Sequence, residues 1–265
     1  MNDGKIAVID SGLGGLTVVK LLKERMSNEN IIYFGDNARV PYGDKSEENI
    51  KIFSEQIIRF LMKKDIKYLA IACNTMSSVA LDTIKGLIKV PIADVINPTI
   101  AYIKKEGLTK LGIIATKATI QSNIYEEKIK NENKEIQIYS RACPIFVPII
   151  ELGLIDGVMV DDAIENNMSE YKKINPEAII SGCTHYTVWE DKIRRYFEDK
   201  IKIINTSAPI VDYVEQDIKG KGMINKNDKK GGIELYFSDS CDRYKEYFEN
   251  LFQDENIKVN ENIKL

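Results

Sequence analysis

Histidine is nearly absent: His185 is the only one in 265 residues. The four cysteines, Cys73, Cys143, Cys183 and Cys241, contain no CxxC pair, so with one imidazole to share no zinc site is expected. Long apolar runs are missing too. Stretches such as YLAIAC and IFVPII end after about six residues, far short of the roughly 20 a membrane span needs. The opening MNDGKIAVID is too short and too polar before its first apolar run to be a signal peptide. These absences predict a cytoplasmic protein with no membrane partner, whose cysteines are free thiols. An excess of basic charge is also lacking. Lys and Arg number 37 against 40 Asp and Glu, a net charge of −3, which leaves no footprint for nucleic acid. No GK[ST] follows the glycine-rich turn DSGLGG (10–15), and Thr17 breaks GxGxxG, so neither a P-loop nor a dinucleotide fingerprint is present. No lysine has a context that suggests a Schiff base with pyridoxal phosphate, and no Ser–His–Asp order is evident.

What the chain does have is alternation. KIAVID (5–10), NIIYFGD (30–36), KYLAIAC (67–73) and VPIADVI (90–96) read as strands. Between them, 16–26 and 46–64 carry apolar residues at three- and four-residue spacing, as amphipathic helices do. The pattern then restarts. Strands are expected at 110–116, 136–144, 178–184, 201–207 and 233–239, and helices at 118–132, 157–174 and 242–253. The Lys/Gly/Asn-rich segment 219–232 reads as a mobile surface loop. Strands separated by helices imply crossover units and mainly parallel sheets. The length suits one large domain or two lobes of roughly 130 residues.

The two halves echo one another at their strand ends. IAVIDSG aligns with GIIATKA, which sets Asp10 against Thr116, and AIACNTM echoes IISGCTH with a one-residue offset that sets Cys73 against Cys183. The fold expected is therefore α/β, with two pseudo-symmetric three-layer lobes related by duplication. Ligands of open α/β sheets bind beyond the carboxyl ends of the strands, so each lobe would offer one thiol to a shared cleft. The turn 10–15 could serve as an anion site at a helix N-terminus, or simply as a tight strand-to-helix turn. Each cysteine taken alone could equally be an inert core residue. Taken together they suggest chemistry, with Ser11, Asn74, Thr75 and Thr184 as neutral hydrogen-bond groups suited to a small zwitterion. His185, two residues after Cys183, can stabilise a thiolate or orient its proton. Cys143, among apolar neighbours, reads as a packing residue, and Cys241, after SDS at the start of a late helix, as a surface or packing residue. Two opposed thiols suit removal of a proton from one face of a carbon and return to the other. A cysteine hydrolase would leave the second thiol without a role.

The segments IDSGLGGLTV (9–18), YFGDNARVPYGDKS (33–46), ACNTMSSVALD (72–82), ACPIFVPIIELG (142–153) and GCTHY (182–186) resemble those of the cofactor-independent glutamate racemases, within the aspartate/glutamate racemase superfamily. The resemblance implies a first lobe of residues 1–96 with 208–265, a second of 97–207, and an active site in the cleft between them. It implies that Cys73 and Cys183 are the acid/base pair, with Asp10 assisting Cys73 and His185 and Glu151 assisting Cys183. The substrate-binding positions it implies are Asp10, Ser11, Tyr42, Gly43, Asn74, Thr75, Thr184 and His185, with Thr116 and Thr119 as further candidates for contact. Glutamate would be the substrate, D-glutamate for peptidoglycan the product, and no metal or other cofactor would be needed. A homodimer is implied as well. Three residues depart from the family pattern: Met76 stands where alanine is usual, Asp94 replaces a glycine and Asn97 a glutamate. Almost nothing precedes the first strand, where some members carry an extension that binds a cell-wall precursor as activator, so that activation is not expected here. Two alternatives remain open at this level: another acidic amino acid as substrate, aspartate foremost, and a two-lobed protein that only binds an amino acid.

Overall fold

In the computed structural model, residues 3–227, 229–242, 251–252 and 256–265 are described. Among them are ten strands: β1 (Lys5–Asp10), β2 (Ile31–Gly35), β3 (Ile66–Ile71), β4 (Ile92–Asp94), β5 (Lys110–Ala115), β6 (Gln137–Ala142), β7 (Ala178–Gly182), β8 (Lys202–Asn205), β9 (Ile233–Phe237) and β10 (Ile257–Asn260). The helices begin with α1 (Leu16–Arg25), α2 (Glu47–Leu61), α3 (Asn74–Val79), α4 (Leu81–Leu87), α5 (Ile96–Glu106) and α6 (Lys117–Gln121). They continue with α7 (Ile124–Glu132), α8 (Phe146–Glu151), α9 (Val158–Ile174), α10 (Glu190–Tyr196) and α11 (Ser207–Gly220).

The strands form two sheets, ordered β10-β9-β2-β1-β3-β4 and β6-β5-β7-β8, with every pairing parallel. Within the larger sheet the run β2-β1-β3-β4 repeats the order of the smaller one, so the duplication seen in the sequence is a duplication of topology. The chain then returns to the first lobe, where β9 pairs with β2. Central strands such as β1, β3 and β5 are buried from their second residue onward, as parallel strands covered on both faces must be. One hydrophobic cluster joins Ile6 and Val8 of the first sheet to Leu111, Ile113 and Ile180 of the second, through residues of α1, α5 and α11. The outer face of the first sheet packs on α2, and that of the second on α8 and α9. Each lobe is thus three layers deep.

Local signals explain the elements. Ser46 caps α2 by accepting from the Asn49 N–H, Glu47 and Glu48 occupy its first turn and Arg59 its last. Gly107, at φ +67°, ends α5 in the left-handed conformation that a helix C-terminus favours. Three expectations need correction. The helix at 118–132 is broken, because Asn123 adopts φ +57° and divides it into α6 and α7. The strand at 90–96 is confined to Ile92–Asp94, since the Asp94 carboxylate accepts from the N–H groups of Ile96 (2.9 Å) and Asn97 (3.0 Å) and so starts α5. Segment 219–232 begins inside α11 and is tied down thereafter: Lys67 Nζ donates to the Met223 carbonyl, the Asn225 N–H to Glu29, and Lys23 Nζ to the Gly231 carbonyl. The edge strand β10 lacked a sequence signal, and the helix expected at 242–253 falls largely outside the described residues. No helix among the described residues is long and apolar enough to cross a membrane.

Candidate active site

The carboxyl ends of the two sheets meet. Asp10 closes β1 and is fully buried. Its Oδ2 accepts from the Gly12 N–H at 3.2 Å, and the Gly15 N–H adds to this. Two of the N–H groups at the head of α1 are thus taken up by the protein's own Asp10 carboxyl. Gly15 is required there, since a Cβ would stand 2.7 Å from that of Asp10. Asp10 Oδ1 accepts from Thr184 Oγ1 of the other lobe at 3.1 Å. Burial pushes the Asp10 carboxyl up from its ordinary value, against the pull of His185 and these N–H groups.

Cys73 follows β3 at the N-terminus of α3. Its Sγ accepts from the Met76 N–H at 3.5 Å and lies 3.6 Å from Ser11 Oγ. Burial, and then the Asp10 carboxylate, push its thiol up to about 12, so in this closed form Cys73 holds its proton. Cys183 follows β7, the topological equivalent of β3. Its Sγ is 4.0 Å from His185 Nδ1, while Nε2 of the same ring is 2.7 Å from Glu151 Oε1 at the end of α8. Burial works against charge on His185, but Cys183 and Glu151 outweigh it and raise the imidazole well above its usual value. Cys73 thus lies in the field of the Asp10 carboxyl, which also acts on His185, while Cys183 faces an imidazole backed by the Glu151 carboxylate.

Both cysteines line one small cavity with Ser11, Tyr42, Gly43, Asn74, Thr75, Thr116, Thr184 and His185. Thr119 is not on its wall but stands behind it: the hydroxyls of Thr75, Thr116 and Thr119 form a triangle with sides of 3.0, 3.0 and 3.4 Å. Gly43 touches this triangle, where a Cβ would come 2.4 Å from that of Thr116. Tyr42 OH donates to Asp36 Oδ2, which also accepts from Arg39 Nε at 2.6 Å. The cavity is about 10 Å³, room for one water and far too little for an amino acid, so the lobes are closed on it.

The family model for Asp/Glu/Hydantoin racemase matches residues 6–214. The chain belongs to this racemase family. It is 38% identical to glutamate racemase 2 of Caldanaerobacter subterraneus subsp. tengcongensis, over 92% of both chains. It is 36% identical to the glutamate racemase of Aquifex aeolicus, over 89% of both. In structure it resembles the glutamate racemase of Francisella tularensis subsp. tularensis SCHU S4 in complex with D-glutamate, at 34% identity and TM-score 0.92, over 100% of this chain and 98% of that one.

Within the racemase family pattern, one departure of this chain adjoins a thiol, since it is the Met76 N–H that donates to Cys73 Sγ. Met76 is fully buried in the core of the first lobe with Ile9, Phe34 and Tyr42, and it does not line the cavity. Asp94 and Asn97 bond to one another at the start of α5. Cys143 and Cys241 are buried, as packing residues are, and none of the four cysteines forms a disulfide. Val40, Pro41 and Val147 also line the cavity, within the quoted segments 33–46 and 142–153 but not singled out there. Tyr125 and Thr206, which hold Asn74, had no sequence signal: Tyr125 OH donates to Asn74 Oδ1 at 2.6 Å and Asn74 Nδ2 donates to Thr206 Oγ1 at 3.3 Å.

Proposed function

We propose that the protein racemises glutamate by a two-base mechanism with Cys73 and Cys183 as the opposed acid/base pair. The observation that carries this is that two thiols from equivalent strand ends line one cavity, Cys73 beside the Ser11 hydroxyl and Cys183 beside the His185 ring. One sulfur, as thiolate, takes the α-proton. The opposite thiol gives its proton to the other face of the same carbon. The pair ends with thiol and thiolate exchanged, ready for the reverse direction. Asp10 serves Cys73, and His185 with Glu151 serves Cys183. The imidazolium is the counter-charge for a sulfur that has lost its proton.

The α-proton of an amino acid is very weakly acidic, so the charge that develops on the carboxylate must meet preorganised donors. Asn74, Thr75, Thr116 and Thr184 supply such groups on the cavity wall, backed by Thr119, while Ser11, Tyr42 and Gly43 complete the binding surface. No group beyond these side chains enters the scheme. Because the closed cavity is so small, substrate must enter with the lobes parted and be sealed from water as they close. The lobes we propose as moving units are residues 1–96 with 208–265, and residues 97–207. Glutamate is favoured over aspartate by the relatives named glutamate racemase at 36–38% identity. We place the protein in the cytoplasm, supplying D-glutamate for peptidoglycan, and as a homodimer. The exposed apolar side chains Leu152, Ile155, Val158 and Met159 offer surface for such pairing.

The test is exchange of the α-proton with deuterated water, starting from each enantiomer without added cofactor. Racemisation with exchange is expected for the unmodified protein, and its loss in both Cys73→Ser and Cys183→Ser. Full activity in either variant would sink the mechanism, and interconversion of aspartate in place of glutamate would sink the substrate assignment.

A further inference from the structure

We infer that Tyr125 is a positioning residue, which holds Asn74 across the cleft so that its amide presents a donor to the substrate carboxylate. The inference rests on the proposed racemisation and adds a residue to it. Asn74 sits on α3 in the first lobe and lines the cavity. Both ends of its amide are engaged by the second lobe: Oδ1 accepts from Tyr125 OH of α7 at 2.6 Å, and Nδ2 donates to Thr206 Oγ1 after β8 at 3.3 Å. An amide nitrogen carries two hydrogens. With one spent on Thr206, the second is the donor Asn74 can offer the cavity it lines. Without the tyrosine hydroxyl the amide would be held at one end only, and its donor would no longer be fixed before substrate arrives.

The surroundings keep this hydroxyl a donor. Tyr125 is 3% exposed, its ring packed in the main core. Burial first, and then the carboxylate of Asp94, hold the proton on its oxygen more firmly than in an ordinary tyrosine. Asp94 is fixed in turn by the N–H groups of Ile96 and Asn97 and by Asn97 Nδ2 at 2.6 Å, and Lys128 Nζ reaches Asn97 Oδ1 at 2.9 Å. Two of the three departures from the family pattern therefore sit behind the residue that holds Asn74. The break between α6 and α7 at Asn123 places Tyr125 one residue into α7.

Tyr125→Phe removes only the hydroxyl and leaves the ring in the core. The expected result is a fall of about tenfold in kcat/KM for glutamate, the size of one lost buried hydrogen bond, with a melting temperature within a few degrees of the unmodified protein. In an Asn74→Ala background the same substitution should cost nothing further, because its effect passes through Asn74; a merely structural role would cost the same factor in both backgrounds. Thr206→Val, which frees the other end of the amide, should show the same dependence on Asn74, and it decides the matter should Tyr125→Phe not fold. Activity within twofold in Tyr125→Phe, or an equal loss in both backgrounds, overturns the inference alone. An unmodified protein that does not racemise glutamate overturns the proposed function and the inference with it.

Discussion

Thr184 Oγ1 donates to Asp10 Oδ1 at 3.1 Å, a buried hydrogen bond between the residue after one cysteine of the proposed pair and the proposed assistant of the other. It ties the two halves of the site together and supplies one of the donors that let a fully buried carboxylate carry charge. Thr184→Val keeps the shape and removes the donor. Stability is expected to fall by about 1–3 kcal/mol, the Asp10 carboxyl to move further up, and kcat/KM to drop about tenfold or more. Thr184→Ser should restore most of both. Urea unfolding and steady-state kinetics on the two variants make the check.

The partners of the two thiols differ, and that difference can be measured. A racemase has an equilibrium constant of unity, so Asp10→Asn and His185→Asn must each lower kcat/KM equally in both directions. The α-deuterium isotope effect need not follow. With Asp10→Asn the proton transfers at Cys73 become limiting. The effect should then grow for the enantiomer deprotonated by Cys73 and shrink for its mirror image. His185→Asn should reverse the pattern. Equal changes for both enantiomers in both variants would mean that neither partner is dedicated to one thiol.

Far from the site, Lys67 Nζ and Glu29 Oε2 form an ion pair at 2.6 Å with side chains 4% and 2% exposed. Breaking such a pair from one side leaves an uncompensated buried charge. Lys67→Met is expected to destabilise by about 3–5 kcal/mol. It should also loosen segment 219–232, since Lys67 holds the Met223 carbonyl and Glu29 the Asn225 N–H. Chemical denaturation reads the first effect, and the rate of proteolytic cleavage within that segment the second.

The buried thiols predict a loss of stability at alkaline pH. Burial raises both Cys73 and Cys143 from 9.0 to about 12. Above pH 9 the unfolded chain releases these protons while the folded one keeps them, so the unfolded state gains and stability falls as pH climbs from 9 toward 12. Unfolding midpoints measured between pH 8 and about 10, below the range of ordinary tyrosines, should decline. The decline should be shallower in Cys143→Ala, which removes one of the two groups without touching the cavity wall.

Much of the molecule was legible in the residues alone. The spacing of apolar residues gave the alternation of strands and helices, because strands buried on both faces must be apolar throughout and covering helices must be apolar on one side. The echo of AIACNTM in IISGCTH gave the two equivalent cysteines, and β3 and β7 do occupy the same place in their sheets. The ends of elements were less legible. Asp94 cut a strand short and Asn123 split a helix, each through a local backbone preference too weak to outvote the apolar pattern around it.

What only tertiary structure decided is which side chains meet across the cleft. Nothing in the order of residues couples Tyr125 to Asn74 or Thr184 to Asp10. Those contacts join positions 51 and 174 residues apart in the chain. They exist because two separately wound sheets turn their carboxyl ends toward each other. Sequence periodicity reports which face of an element is buried; it carries no information about the partner that buries it. The resemblance of the motifs brought Glu151 into view and the strand-end pattern Thr184, but the distance from Thr184 to Asp10, and the small size of the closed cavity, belong to the packing of one lobe on the other.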